Sequence, residues 1–140
     1  MKGTIYLAGP LFSEAEREFN VKLSGMLKNA GYAVFLPQED SADTSQSREK
    51  LENKTLFRKN VEGIDKSDLV VAILDGGSDV DSGTAWEIGY AWAKGIHVVG
   101  LRTDFRTLGI EGIVNLMIEE CVVGLCTSVE ELVVFLESRK

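Results

Sequence analysis

Residues 69–101 read LVVAILDGGSDVDSGTAWEIGYAWAKGIHVVGL. The run LVVAIL (69–74) is apolar at every position, as a strand covered on both faces must be, and IHVVGL (96–101) has the same character. Between them Thr84 to Lys94 reads as a helix, so the stretch is a strand-helix-strand unit with parallel strands. The connecting loop carries Asp75, Asp79 and Asp81 among several glycines, and Glu87 follows at the start of the helix. A turn alone does not need so many carboxylates.

Working outward, the same alternation fills the chain. TIYLAG (4–9) reads as a buried strand, followed by a helix from Ser13 to Gly31, with Ser13 and Glu16 as its capping box and Gly31 as its stop. YAVFLP (32–37) is a second strand, Gln38 to Ser47 a long polar loop, and REKLENKTLFRKNVEGIDKSD (48–68) is largely helical. After residue 101 come a less regular segment (102–120), a fifth strand CVVGLC (121–126) and a closing helix capped by Ser128 with Glu131. The predicted fold is a single doubly wound α/β domain over residues 1–140, a flavodoxin-like or Rossmann-like five-stranded parallel sheet with helices on both faces. No repeat, linker or low-complexity tract interrupts it.

Composition narrows the function. A chain of 140 residues with 44% hydrophobic content has enough apolar material for one core. Its net charge of -7 gives no general attraction to phosphate backbones or anionic lipid, and no local basic patch offsets it, so nucleic acid and membrane are excluded in favour of a small-molecule partner. MKGTIYLAG lacks a signal-peptide core, and no apolar run is long enough to span a bilayer, which predicts a cytoplasmic protein. Cys121 and Cys126 are expected to be reduced core thiols; with the single histidine, His97, in another strand they do not make a zinc site.

Ligands of such sheets bind outside the carboxyl ends of the strands, where both AGPLFS (8–13) and the 75–83 loop lie. Neither carries a dinucleotide or nucleoside-triphosphate fingerprint. Two readings of Glu87 stand side by side. In TAWE (84–87), Thr84 can be the N-cap with Glu87 completing a capping box, worth about 1 kcal/mol. Alternatively, Glu87 is a partly desolvated carboxylate at the ligand crevice, since AWEIGYAWAKG is apolar nearly all round and should be buried on most sides. Gly89 costs about 1 kcal/mol relative to alanine and points to close approach by another backbone or a subunit. Trp86 and Trp92 read as core or subunit interface rather than ligand platform, and the three aspartates as turn residues or as site carboxylates sharing a small volume with Glu87.

TIYLAGPLF (4–12), SDLVVAILDG (67–76) and DVDSGTAWEIGYAWAKGI (79–96) together resemble the nucleoside 2-deoxyribosyltransferase family, from residue 4 to about residue 126. The resemblance implies that Glu87 is the nucleophile, that Tyr6 holds its carboxylate by a hydrogen bond, and that Asp81 contacts the sugar hydroxyls. It further implies that Asn115 and Met117, in NLM, enter the site of a neighbouring subunit of a homo-oligomer. The reaction implied is a retaining base exchange between nucleosides and purine or pyrimidine bases, with no cofactor; the carboxylates also lack a calcium-loop spacing. Further candidates for substrate binding are Gly9, Phe12, Gln38, Asn60, Asp75 and Gly83. Phe12 can stack on a base or merely pack, and Gln38 with Glu39 can read base edges or lie solvated.

One departure bears on the proton. Many family members carry an aspartate where VEGIDKSD aligns Asn60, and an asparagine can hydrogen-bond a base but cannot protonate it. Either Asn60 only orients the base or another group serves, with Asp75 a candidate; Asp65 and Asp68 read as turn and cap residues at the wrong strand end. The rival within the superfamily is a nucleoside 5'-monophosphate N-glycosidase, which resembles this chain around the glutamate but has serine at the Asp81 position. An aspartate there repels a phosphate, which favours a nucleoside. A non-catalytic nucleoside or nucleotide sensor is the third reading.

Overall fold

The computed structural model describes residues 2–41 and 50–139. Among these, β1 (Thr4–Ala8), β2 (Ala33–Phe35), β3 (Leu69–Ile73), β4 (Val98–Leu101) and β5 (Gly124–Cys126) form one parallel sheet in the order β2-β1-β3-β4-β5. The chain runs outward from β1 to β2 and returns across β1 to β3, so the order reverses between β1 and β3. A crevice opens there at the carboxyl ends of the strands. This is the doubly wound architecture read from the alternation of apolar runs.

Period-two alternation supplies both faces. Ile5, Leu7, Val71, Ile73, Val99 and Leu101 pack with Leu23 and Leu27 of α1 (Glu14–Asn29) and Leu132 and Leu136 of α6 (Val129–Ser138). Tyr6, Ala8, Val70 and Ala72 pack on the other face with Ile64 of α3 (Lys50–Asp65), Ile88 and Ala91 of α4 (Ser82–Ala93), and Ile118 of α5 (Leu116–Cys121). Cover on both sides explains why the strands are apolar throughout rather than alternating.

The helix caps are local, and most were predicted. Ser13 and Glu16 form the complete capping box of α1, Gly31 follows its C-cap with φ 105°, and Ser128 caps α6. Other boundaries differ. The predicted loop from Gln38 begins as a short helix, α2 (Pro37–Asp40), because Pro37 is pre-set for a first helical position and the Asp40 carboxylate reaches back to the Leu36 N–H at 2.7 Å. The rest of that loop, residues 42–47, lies outside the described residues. Cys121 ends α5, half-buried, rather than starting a strand, while Cys126 is buried in β5; burial pushes both thiols up. His97 precedes β4 and is exposed, with Nδ1 3.3 Å from Arg139 Nη2.

Helix α4 departs most from expectation. Only Thr84, Ile88 and Ala91 are buried along it; Trp86 and Trp92 are exposed, because the sheet, α3 and α5 pack against its other sides and leave this face open. A Cβ at Gly89 would meet no atom within 4 Å outside its own turn of helix, so no other backbone among the described residues approaches it. No helix among the described residues is long and apolar enough to cross a membrane.

Candidate active site

Helix α4 starts three residues earlier than TAWE suggests, and that shift decides what Glu87 does. Asp81 is the N-cap: its Oδ2 accepts from the Thr84 N–H and the Thr84 hydroxyl, both at 3.0 Å. A carboxylate at the positive end of a helix outcompetes a hydroxyl there, and Thr84, buried beneath it, has already spent its N–H. The predicted Thr84–Glu87 capping box is therefore not formed. Glu87 sits in the second turn, and its carboxylate accepts a hydrogen bond from the Tyr6 hydroxyl.

Tyr6 projects from β1 onto the α3–α4 face, fully buried and stacked on Phe35 with centroids 5.3 Å apart. Its ring is thus fixed by packing, and its hydroxyl delivers one oriented donor to the carboxylate. The two residues are 81 apart in sequence.

Beside this pair opens a cavity of about 350 Å³ at the β1/β3 switch point, walled by the β1–α1 loop, α3 and the start of α4. It brings together six residues singled out from the sequence: Gly9, Phe12, Asn60, Asp81, Gly83 and Glu87. Gly9 sits tightly against the neighbouring strand, where a Cβ would lie 3.0 Å from the Ile73 side chain. Among the described residues, Asp81 and Glu87 are the only ionisable side chains lining the cavity.

The other candidates lie elsewhere. Asp75 accepts at Oδ1 from the Thr103 and Asp104 N–H groups, each at 2.9 Å, and at Oδ2 from the Thr103 hydroxyl, tying the β3 loop to the β4 loop outside this cavity. Asp79 Oδ1 accepts from the N–H groups of Val80 and Asn115. The predicted cluster of four carboxylates thus reduces to two, because the other two are consumed in fastening loops. Gln38 faces inward: its carbonyl accepts from Asn20 Nδ2 at 2.9 Å and its amide donates to the Arg17 carbonyl at 3.1 Å, so neither end reads a base edge. Asn20 and Arg17 in turn donate to the carbonyls of Pro10, Leu11 and Phe12, which makes Gln38 part of a strut under the cavity loop. Asp68 accepts from the Thr4 N–H and Asp65 from the Tyr90 hydroxyl, both away from the cavity as expected.

Asn115 caps α5, accepting from the Met117 N–H at 2.9 Å. Neither residue lines the Glu87 cavity of its own chain; Met117 is exposed on an apolar groove with Gly89, Trp92 and Leu116. Sequence reasoning missed Phe57 and set aside Trp86, both of which wall the cavity. The signal was present in their spacing: Phe57 precedes Asn60 by one helical turn, and Trp86 adjoins Glu87. Among the described residues no cluster of histidine, cysteine or acidic side chains could hold a metal ion.

A family profile described as nucleoside 2-deoxyribosyltransferase matches residues 5–134. A conserved protein from Enterococcus faecalis V583 superposes with a TM-score of 0.81 at 33% identity, covering 98% of each chain. A 2-deoxyribosyltransferase from the psychrotolerant bacterium Bacillus psychrosaccharolyticus superposes at 0.80 with 26% identity, covering 98% of this chain and 92% of that one. A CMP N-glycosidase from Clostridium botulinum shares the fold, with a TM-score of 0.60 and 19% identity over 96% of this chain and 98% of that one. No curated protein sequence matches the chain.

Proposed function

Since the chain belongs to the nucleoside 2-deoxyribosyltransferase family, we propose that it exchanges the base of a 2'-deoxynucleoside through a covalent ester on Glu87. The observation that carries this reading is the Glu87 carboxylate itself, oriented by the buried Tyr6 hydroxyl in the wall of a cavity at the carboxyl ends of the strands.

A carboxylate suits both steps. In the first, a Glu87 oxygen bonds to the anomeric carbon as the bond from that carbon to the base nitrogen breaks, the electron pair leaving with the base. The oxocarbenium-like transition state is positive, so a held negative charge stabilises it before the ester forms. In the second, a ring nitrogen of the incoming base attacks the same carbon and Glu87 leaves as carboxylate. The proton that the departing base takes up is balanced by the one the incoming base gives off, so exchange needs a relay rather than a net source. That suits a site with Asn60 where a carboxylic acid would otherwise stand, and with Asp75 committed to the β4 loop. Asp81 keeps its cap through Oδ2, which leaves Oδ1 to accept from a sugar hydroxyl.

The 5'-monophosphate N-glycosidase reading meets an obstacle in charge, because the described residues of the cavity offer a phosphate two carboxylates, one of them Asp81. Purified protein incubated with deoxyinosine, alone and then with adenine, tests the choice by chromatography. Deoxyadenosine formed only when adenine is present is the expected result. Free hypoxanthine without adenine, or turnover confined to monophosphates, would transfer the protein to the glycosidases.

A second copy of the chain completes the site in this reading. Trp92, Leu116 and Met117 are all more than half exposed around Gly89, a patch whose burial favours association. A neighbour seated there would receive Asn115 and Met117 at its own cavity mouth. Sedimentation velocity should find an oligomer, and Trp92→Glu should convert it to monomer with loss of exchange; an active wild-type monomer would refute the shared site.

A further inference from the structure

Phe57 and Trp86 form an aromatic corner in the wall of the Glu87 cavity, at a centroid distance of 5.3 Å and an interplanar angle of 64°. Trp86 is not a loose surface ring. Its back is stacked on Tyr90 at 5.3 Å and 7°, one helical turn away, and Tyr90 is anchored in turn by its hydroxyl, which donates to Asp65 Oδ1 at 2.7 Å. Lys94 closes the far end, 4.0 Å from the Asp65 carboxylate and 5.8 Å from the Tyr90 ring centre. The indole therefore stands ordered before any ligand arrives, and a planar group that covers it gains contact area without first paying to freeze a side chain. Yet Trp86 is 47% and Phe57 54% exposed, so the described residues leave the corner half open.

The division of labour in the cavity indicates what covers it. Sugar hydroxyls need acceptors, which Asp81 and Glu87 provide; the corner provides none and matches only a planar, weakly polar group. Along its inner wall Asn60 is the one side-chain amide among the described residues, flanked by Val61 and Ile64. A base in this position is distinguished by stacking area more than by a hydrogen-bond code. Two fused rings cover more of two aromatic faces than one ring does.

We infer that Trp86 and Phe57 are specificity-determining residues that stack on the nucleobase and favour purines over pyrimidines. This rests on the nucleoside reading of the cavity but not on turnover, since a free base should bind the corner even where no sugar is transferred.

The test uses the full chain carrying Trp92→Phe, which leaves Trp86 as the sole indole. Adenine, hypoxanthine, cytosine and thymine are titrated in turn while indole emission is followed. Quenching by the two purines, with a Kd at least about tenfold below that of either pyrimidine, is the expected outcome. No quenching by any base, or pyrimidines bound as tightly, would overturn the proposal. Purine binding without exchange would uphold it and sink the transferase reading instead. With active protein, Trp86→Ala should lower kcat/KM for purine deoxynucleosides roughly five- to hundredfold and pull the purine-to-pyrimidine ratio towards one, while Trp86→Phe restores much of that ratio. A loss equal for both base classes would assign Trp86 to packing alone and refute the inference.

Discussion

Glu87→Gln should lower base exchange by roughly three orders of magnitude or more while leaving the fold intact, since loss of a nucleophile removes the covalent route altogether. The substitution is mild for the structure. The N-cap of α4 is Asp81, and the glutamine carbonyl can still accept from the Tyr6 hydroxyl. What is lost is the negative charge and the oxygen that must form an ester. Chromatographic assay of variant and wild type, with thermal melts of both, checks this. Exchange retained above about a tenth of wild type, with unchanged melting, would remove Glu87 from the chemistry and favour a nucleoside sensor on this fold.

The second large effect concerns stability. Arg102 is the largest fully buried side chain, only 2% exposed, and it lies just after β4. Its guanidinium donates to the carbonyls of Leu74 at 2.7 Å and Arg106 at 2.9 Å, with Gly77 at 3.4 Å, so it staples the loop after β3 to the loop after β4. A planar fork suits three carbonyls at different angles; an ammonium or a thioether does not. Arg102→Met keeps most of the volume but strands those acceptors, and a buried unsatisfied acceptor costs about 1–3 kcal/mol. Arg102→Met is expected to destabilise the protein by about 2–5 kcal/mol, measured by denaturant unfolding. A change below about 1 kcal/mol would mean that the carbonyls find water and that Arg102 is no staple. Because the stapled loop leads into Asp81 and Glu87, turnover should fall as well, well below the melting temperature.

Two patterns overlap at the head of α4. Asp81-x-x-Thr84 and Thr84-x-x-Glu87 are both acceptable caps, and each alone would start a helix. Local spacing cannot choose between them. The choice is made by the surroundings, which bury Thr84 and hold the loop ahead of Asp81 through Asp75 and Asp79. Turn propensity likewise marks those two aspartates as loop residues but is silent on their partners, Thr103 and Asn115, which lie 28 and 36 residues further on. Phe57 and Trp86 were hard to read for the same reason, since an aromatic on a helix is apolar to any periodicity count whether it faces core, partner or ligand.

By itself the sequence determined the parallel doubly wound sheet, because strands covered on both faces must be apolar throughout and helices must alternate with them. It also pointed to the loops after β1 and β3, beside which the cavity opens, and its motifs marked the family to which the chain belongs. Tertiary structure alone decided which polar groups meet. Of four carboxylates near one loop, two fasten loops and two face the cavity, and Trp86 turns out to be a wall of that cavity. The physical reason is range. Backbone geometry is governed by neighbours within a turn or a strand, whereas a buried polar group takes its partner from whatever element packs against it.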